Sequence, residues 1–237
     1  MKKIIIILVA FSATLTVCAQ SSFLKKINYG IEVGTNISSI NFSGRIEDSK
    51  LLGTQPSTKL AYQLGAFANY DINKRFMVET GLDFISKGYI LPTRAISRNG
   101  LPIIKYRETL SSYYLELPLL FGVKYSIGDV NLNLKLGPYF AYGLDGSIKV
   151  EDITGTVSKD AFGGDNLYPM KCFDCGGKLA LGAKLWKVSF DIFYDLGLMN
   201  IANYDDSKFS SSDLATGTFE NDKAHTYTLG FTARYNF

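Results

Sequence analysis

One histidine and three cysteines among 237 residues leave little with which to build a metal centre. Cys172 and Cys175 are two ligands, unsupported by a histidine or a second cysteine pair, so no metal and no cofactor are expected. No βαβ pattern surrounds them, which argues against a thioredoxin-like role. Long apolar runs are missing as well. Beyond residue 20 no stretch approaches the ~20 apolar residues of a spanning helix. Charge of one sign is scarce: the formal net charge is +3, and falls to +1 without Lys2 and Lys3. That leaves no global field to attract nucleic acid. Gly163-Gly164 and Gly176-Gly177 lack the lysine and following helix of a phosphate loop.

What is present begins with a targeting segment. Lys2 and Lys3 precede an apolar stretch over residues 4–13, and Val17-Cys18-Ala19 supplies small residues for cleavage. Residues 1–19 therefore read as a signal peptide, and residues 20–237 as one domain. Acylation of Cys18 would call for glycine, alanine or serine before it, and Val17 stands there, so ordinary cleavage after Ala19 is the better reading. Export places Cys172 and Cys175 where disulfides persist. A local bridge pinning the base of a loop is expected, with free thiols as the alternative.

The last eleven residues alternate strictly. Tyr227, Leu229, Phe231, Ala233, Tyr235 and Phe237 share one face, and Thr228, Gly230, Thr232, Arg234 and Asn236 share the other. That is a strand with one apolar and one polar side. Seven further segments repeat the pattern, near residues 27–37, 60–70, 76–84, 113–125, 130–142, 178–185 and 188–199. Short turns at Asp71-Ile-Asn-Lys74, Ser126-Ile-Gly-Asp129 and Trp186-Lys187 alternate with long gaps over 38–59, 88–108, 145–175 and 200–223. Each segment has about the ~9–11 residues of a tilted membrane strand.

Aromatic residues group at both ends of these segments. Tyr70, Phe76, Tyr125, Trp186, Tyr235 and Phe237 lie near the short turns; Tyr62, Phe84, Tyr113, Phe140, Tyr142 and Tyr227 lie near the long gaps. Two such girdles mark a membrane barrel. The pattern predicts an all-β, eight-stranded, antiparallel up-and-down transmembrane barrel with short periplasmic turns and long extracellular loops. The terminal Tyr235 and Phe237 then form the assembly signal read by the barrel-assembly machinery. A soluble lipocalin-like barrel would alternate equally well, with its apolar face inward. The girdles, the loop lengths and the aromatic terminus favour the cell outer membrane.

Several strands carry a recognisable wording. Tyr114-Leu-Glu-Leu-Pro-Leu-Leu-Phe121 followed by Lys124-Tyr125, then Gly137-Pro138-Tyr139, Phe173-Asp174-Cys175-Gly176 with Leu181-Gly182-Ala183, and Tyr194-Asp-Leu-Gly-Leu-Met-Asn-Ile201 occur in this order. Together they resemble the PorT-like outer-membrane β-barrel family of Bacteroidota, over roughly residues 27–237. The chain departs from that pattern at Cys175, where an apolar residue is usual, and in a long third loop. The resemblance implies a fold and a location; its namesake's link to secretion machinery is a finer expectation that no motif here secures.

Candidate functional residues lie on the polar strand face. Glu32, Glu79, Asp83, Glu116, Asp191 and Asp195 face Lys87, Lys124, Lys135, Lys184 and Arg234. A narrow barrel fills its interior with side chains, and buried charges must pair. An interlocked charge network is expected, with a narrow ion path as the alternative. His225 and the loop residues Ser210, Ser211, Ser212 and Asp213 are the ingredients of a hydrolase or acyltransferase, yet no spacing motif joins them. No catalytic residue is assigned, and the chain is expected not to be an enzyme. The second loop is basic through Arg94, Arg98, Lys105 and Arg107, beside Glu108. The third and fourth are acidic through Glu151, Asp152, Asp160 and Asp165, then Asp205, Asp206, Asp213, Glu220 and Asp222. Lipid phosphates and divalent cations are the corresponding ligands to test. The expected partners are outer-membrane lipid, the assembly machinery and other envelope proteins, and the expected role is structural or interactive. A small passive porin-like channel is the first alternative, and an outer-membrane enzyme the second.

Overall fold

The computed structural model describes residues 27–43, 56–96, 104–152, 155–162, 170–202 and 223–237. The signal peptide expected over residues 1–19 falls outside the described residues. Nine strands follow one another: β1 (Ile27–Ser43), β2 (Ser57–Asp71), β3 (Phe76–Ile96), β4 (Ile104–Ile127), β5 (Val130–Asp152), β6 (Gly155–Asp160), β7 (Phe173–Leu185), β8 (Val188–Gly197) and β9 (Lys223–Asn236). Eight of them close into an antiparallel ring, β1 to β5 and then β7 to β9, with β9 pairing back onto β1. Closure leaves the ring no open edge, as lipid requires. The short β6 stands outside the ring, on the upper end of β5.

The orientation of the wall decides membrane against soluble barrel. Leu134 is 50% exposed, Lys135 1% and Leu136 61%. A soluble barrel would reverse these values. Here the outward face is a continuous apolar belt, including Ile31, Val33, Leu64, Leu119, Phe121, Leu181, Ile192 and Phe231, far larger than any monomer exposes to water.

Tight turns lock the register at the periplasmic end. Asn73 Oδ1 accepts from the backbone N–H groups of Arg75 and Phe76, both at 2.8 Å. Leu185 pairs with Val188 across a two-residue turn, with Trp186 in the left-handed region at φ 55°. Such a backbone is unfavourable for a bulky residue; it aims an indole that is 82% exposed toward the membrane interface. Phe237 packs against Tyr29 and Tyr235 at centroid distances of 5.7 and 5.5 Å. Its N–H bonds to Tyr29 O at 3.0 Å, so the terminal residue seals the seam between β9 and β1.

Two expected loops are largely strand. β3 continues to Ile96 and β4 starts at Ile104; β5 runs on to Asp152 and turns into β6. Register shifts between Leu91 and Arg94, and between Tyr113 and Tyr114, break the period there. Above them the outer face meets water instead of lipid, so the apolar stripe that marks a strand in sequence fades. Among the described residues, β3, β4 and β5 thus run longer than β7, β8 and β9.

Candidate functional site: the filled lumen

The inward face builds three stacked layers. The lowest centres on Arg234 of β9, whose guanidinium donates to Glu32 at 2.7 Å, Asp191 at 2.7 Å and Glu79 at 2.9 Å. These acids come from β1, β8 and β3, so one side chain ties the closing strand to three others. The guanidinium also lies 3.8 Å from the Phe67 ring centroid, a face that arginine stacks on well. Lys135 of β5 donates to Glu79 at 2.9 Å and also pairs with Asp191. Its stem crosses Gly122, where a Cβ would stand 3.1 Å from Lys135 Cγ. Gln63 Nε2 satisfies the second Glu32 oxygen at 3.0 Å.

The middle layer centres on Glu116, which is fully buried. Lys87 approaches it at 2.8 Å and Lys178 at 2.6 Å. Lys178 also reaches Asp195 at 3.5 Å, and Lys87 reaches Asp174 at 3.8 Å. Each ammonium lies over an aromatic ring as well, Lys87 4.5 Å from Tyr139 and Lys178 4.6 Å from Phe193. Asp174 accepts from the Tyr139 hydroxyl at 3.2 Å and from Thr226 at 2.9 Å. Asp83 sits opposite Glu116 on the neighbouring strand.

Above the charges lies an apolar cap. Ile40, Tyr89, Leu110, Ala161, Met170, Ile201, Ala202 and Ala224 form one buried cluster. Phe162 joins it to the layer beneath, edge-on to Tyr114 at 5.7 Å. Ser38 of β1 reaches past β2 to β3: its hydroxyl donates to Gly88 O at 3.0 Å and accepts from Gly88 N at 2.7 Å. This pair pinches the upper barrel across its own bore.

Nine of the eleven charged residues expected in the lumen are buried there: Glu32, Glu79, Asp83, Lys87, Glu116, Lys135, Asp191, Asp195 and Arg234. Lys124 and Lys184 instead sit partly exposed at the periplasmic mouth, Lys124 on Asp71 at 2.6 Å and Lys184 on Asn236 at 3.0 Å. Asp174 and Lys178 complete the set: Asp174 precedes the expected segment 178–185, and Lys178 is its first residue, with the parity of Lys184. They share parity with Ala180 and Gly182 on β7, which was the available signal.

The expected disulfide is not formed: Cys172 and Cys175 are both free. Cys172 lies at the bend before β7 and Cys175 within the strand, its partner Phe140 on β5. His225 lies on the outward face of β9, opposite Asn41; Ser210, Ser211, Ser212 and Asp213 fall outside the described residues. The side chains of Arg94 and Lys105 also fall outside them, as do Arg98, Asp165, Asp205, Asp206, Glu220 and Asp222. Glu151 and Asp160 belong to the hairpin of β5 and β6 instead of a loop. Among the described residues no cluster of histidine, cysteine or carboxylate has metal-binding geometry.

An apolar belt around a closed ring, with ion pairs inside, defines an outer-membrane β-barrel. The family model described as outer membrane protein beta-barrel domain matches residues 18–203, and the chain belongs to that family. Among solved structures it is similar to the attachment invasion locus protein Ail of Yersinia pestis in complex with the heparin analogue sucrose octasulfate. The identity there is 16% over 90% of this chain and 99% of that one, with a TM-score of 0.35. OprG of Pseudomonas aeruginosa gives 14% identity over 89% and 94%, with a TM-score of 0.46. Neisserial surface protein A gives 10% over 88% and 97%, with a TM-score of 0.38. No curated protein matches the sequence.

Proposed function

We propose that this barrel works at the envelope as a closed, non-enzymatic structural or interaction protein, through its outer wall and rim. The observation that supports this is the filled lumen. Two charged layers and an apolar cap occupy the bore, and the buried charges other than Asp83 are engaged in ion pairs with one another. Opening a path would leave carboxylates or ammonium groups without partners, at several kcal/mol each. The tall sheet of β3 to β6 then offers the surface for a partner. In its finer form the reading is a component of secretion or envelope assembly, supported by the wording shared with the PorT-like family.

The competing reading is a small passive channel. Acids outnumber bases among the buried charges, so a conducting form would favour cations. Single-channel recording of the refolded protein in planar bilayers separates the two. A folded barrel with no unitary steps supports the closed reading; steady, reproducible, cation-selective steps would replace it with transport.

A further inference from the structure

Lys59 stands near the top of β2, where the ladder to β3 is interrupted. Pairing ends at Gln63 opposite Ile85 and resumes at Thr58 opposite Tyr89. The side chain leaves the wall in this gap and lies along the outer face of Gly88, where a Cβ would come within 3.2 Å of Lys59 Cδ. Its ammonium then reaches β4, Nζ donating to Ser111 Oγ at 2.5 Å. This is a lysine threaded across a neighbouring strand and held at its tip.

Other donors gather on the same outward surface. Ser111 pairs with Ser147 across β4 and β5, and Thr109 pairs with Lys149. Arg107 is the next outward position on β4, and Lys149 and Arg107 are both exposed. Lys149, two residues beyond Ser147 on β5, therefore shares the outward face with Ser111 and the Lys59 ammonium. The carboxylates nearby are Glu151, opposite Arg107, Asp145, opposite Tyr113, and Asp160 of β6, opposite Ser147. None of the three forms an ion pair with Lys59, Lys149 or Arg107 among the described residues.

The height of this group identifies its ligand. Directly beneath lie Phe84 and Tyr113, stacked at 5.6 Å, with Tyr62 at 6.4 Å from Tyr113. These rings belong to the outer aromatic girdle, which sits at headgroup level. We propose that Lys59 and Lys149, with the Ser111 hydroxyl between them, bind the phosphate of an outer-leaflet lipid. Ammonium and hydroxyl groups match phosphate oxygens, and the aromatic shelf below receives the apolar part of the same molecule. The site lies on the wall, so it does not depend on whether the lumen conducts.

Native mass spectrometry of the mature protein released from detergent tests this, with diphosphorylated lipid A, dephosphorylated lipid A and inorganic phosphate as probes. The expected result is a lipid A adduct on the unaltered protein. Occupancy should fall about tenfold or more in the K59Q/K149Q variant. Dephosphorylated lipid A on the unaltered protein should bind as weakly as lipid A does on the variant. Equal occupancy on both proteins overturns the proposal. Inorganic phosphate binding as tightly as lipid A overturns its lipid source. Heat-modifiable gel migration reports folding. Should the double variant not fold, the exposed Lys149→Gln alone decides: a partial loss is expected, and no loss overturns the site.

Discussion

The same chain obeys opposite inside-outside rules at two heights. In the membrane, β5 buries Lys135 and exposes Leu134 and Leu136. Above it, the same strand turns Ile148 onto the apolar cap and leaves Lys149 exposed. What changes is the solvent outside. Against lipid, an apolar side chain gains nothing by turning inward, so the polar face is gathered in the bore and forced to pair. Above the lipid the outside is water, and the ordinary preference for an apolar interior returns. The shift in register between Tyr113 and Tyr114 marks the change on the wall between β4 and β5.

The largest effect should come from breaking the charged layer. Arg234→Met would leave Glu32 without a cation and Glu79 and Asp191 to share Lys135 alone. A loss of about 3–5 kcal/mol is expected, read as failure to recover heat-modifiable migration or as an earlier midpoint in urea. Leu110→Ala tests the cap in the opposite currency. It should cost about 2–5 kcal/mol if the cap packs like a water-soluble core, while bilayer recordings stay silent because the charged layers below persist.

Two surface lysines sharpen the contrast between the heights. Leu136→Lys on the lipid face should cost about 2–4 kcal/mol in refolding into bilayers. Val157→Lys on β6 is an equally exposed apolar position by eye, yet should change stability by no more than about 0.5 kcal/mol. Equal costs for the two would mean that β6 also lies against lipid.

Legibility in sequence followed the same division. Strands crossing the membrane showed themselves because lipid imposes a strict apolar stripe, and nine of the lumen charges followed from parity alone. Strands above the membrane hid, since water on their outer face permits Lys149, Glu151 and Ser158 where leucine would have given the period away. Asp174 lies ahead of the expected segment 178–185, behind two glycines that carry no hydropathy signal, whereas Lys178 opens that segment and its parity with Lys184 was readable. The cap could not be read at all. Ile40, Ala161, Met170 and Ile201 come together from distant segments, and no local period announces a contact made only by closure of the ring.

The most direct test of a closed lumen is the reactivity of Thr228→Cys with a charged, water-soluble thiol reagent. The background would carry Cys172→Ser and Cys175→Ser. Thr228 is fully buried and sits opposite Asp195 and Ser38 on the inward face, and cysteine nearly matches its shape. The expected result is no labelling of the folded barrel from either side, with full labelling after heat unfolding. Rapid labelling of the folded protein would mean that water runs through the bore, and the account of a filled lumen would be wrong.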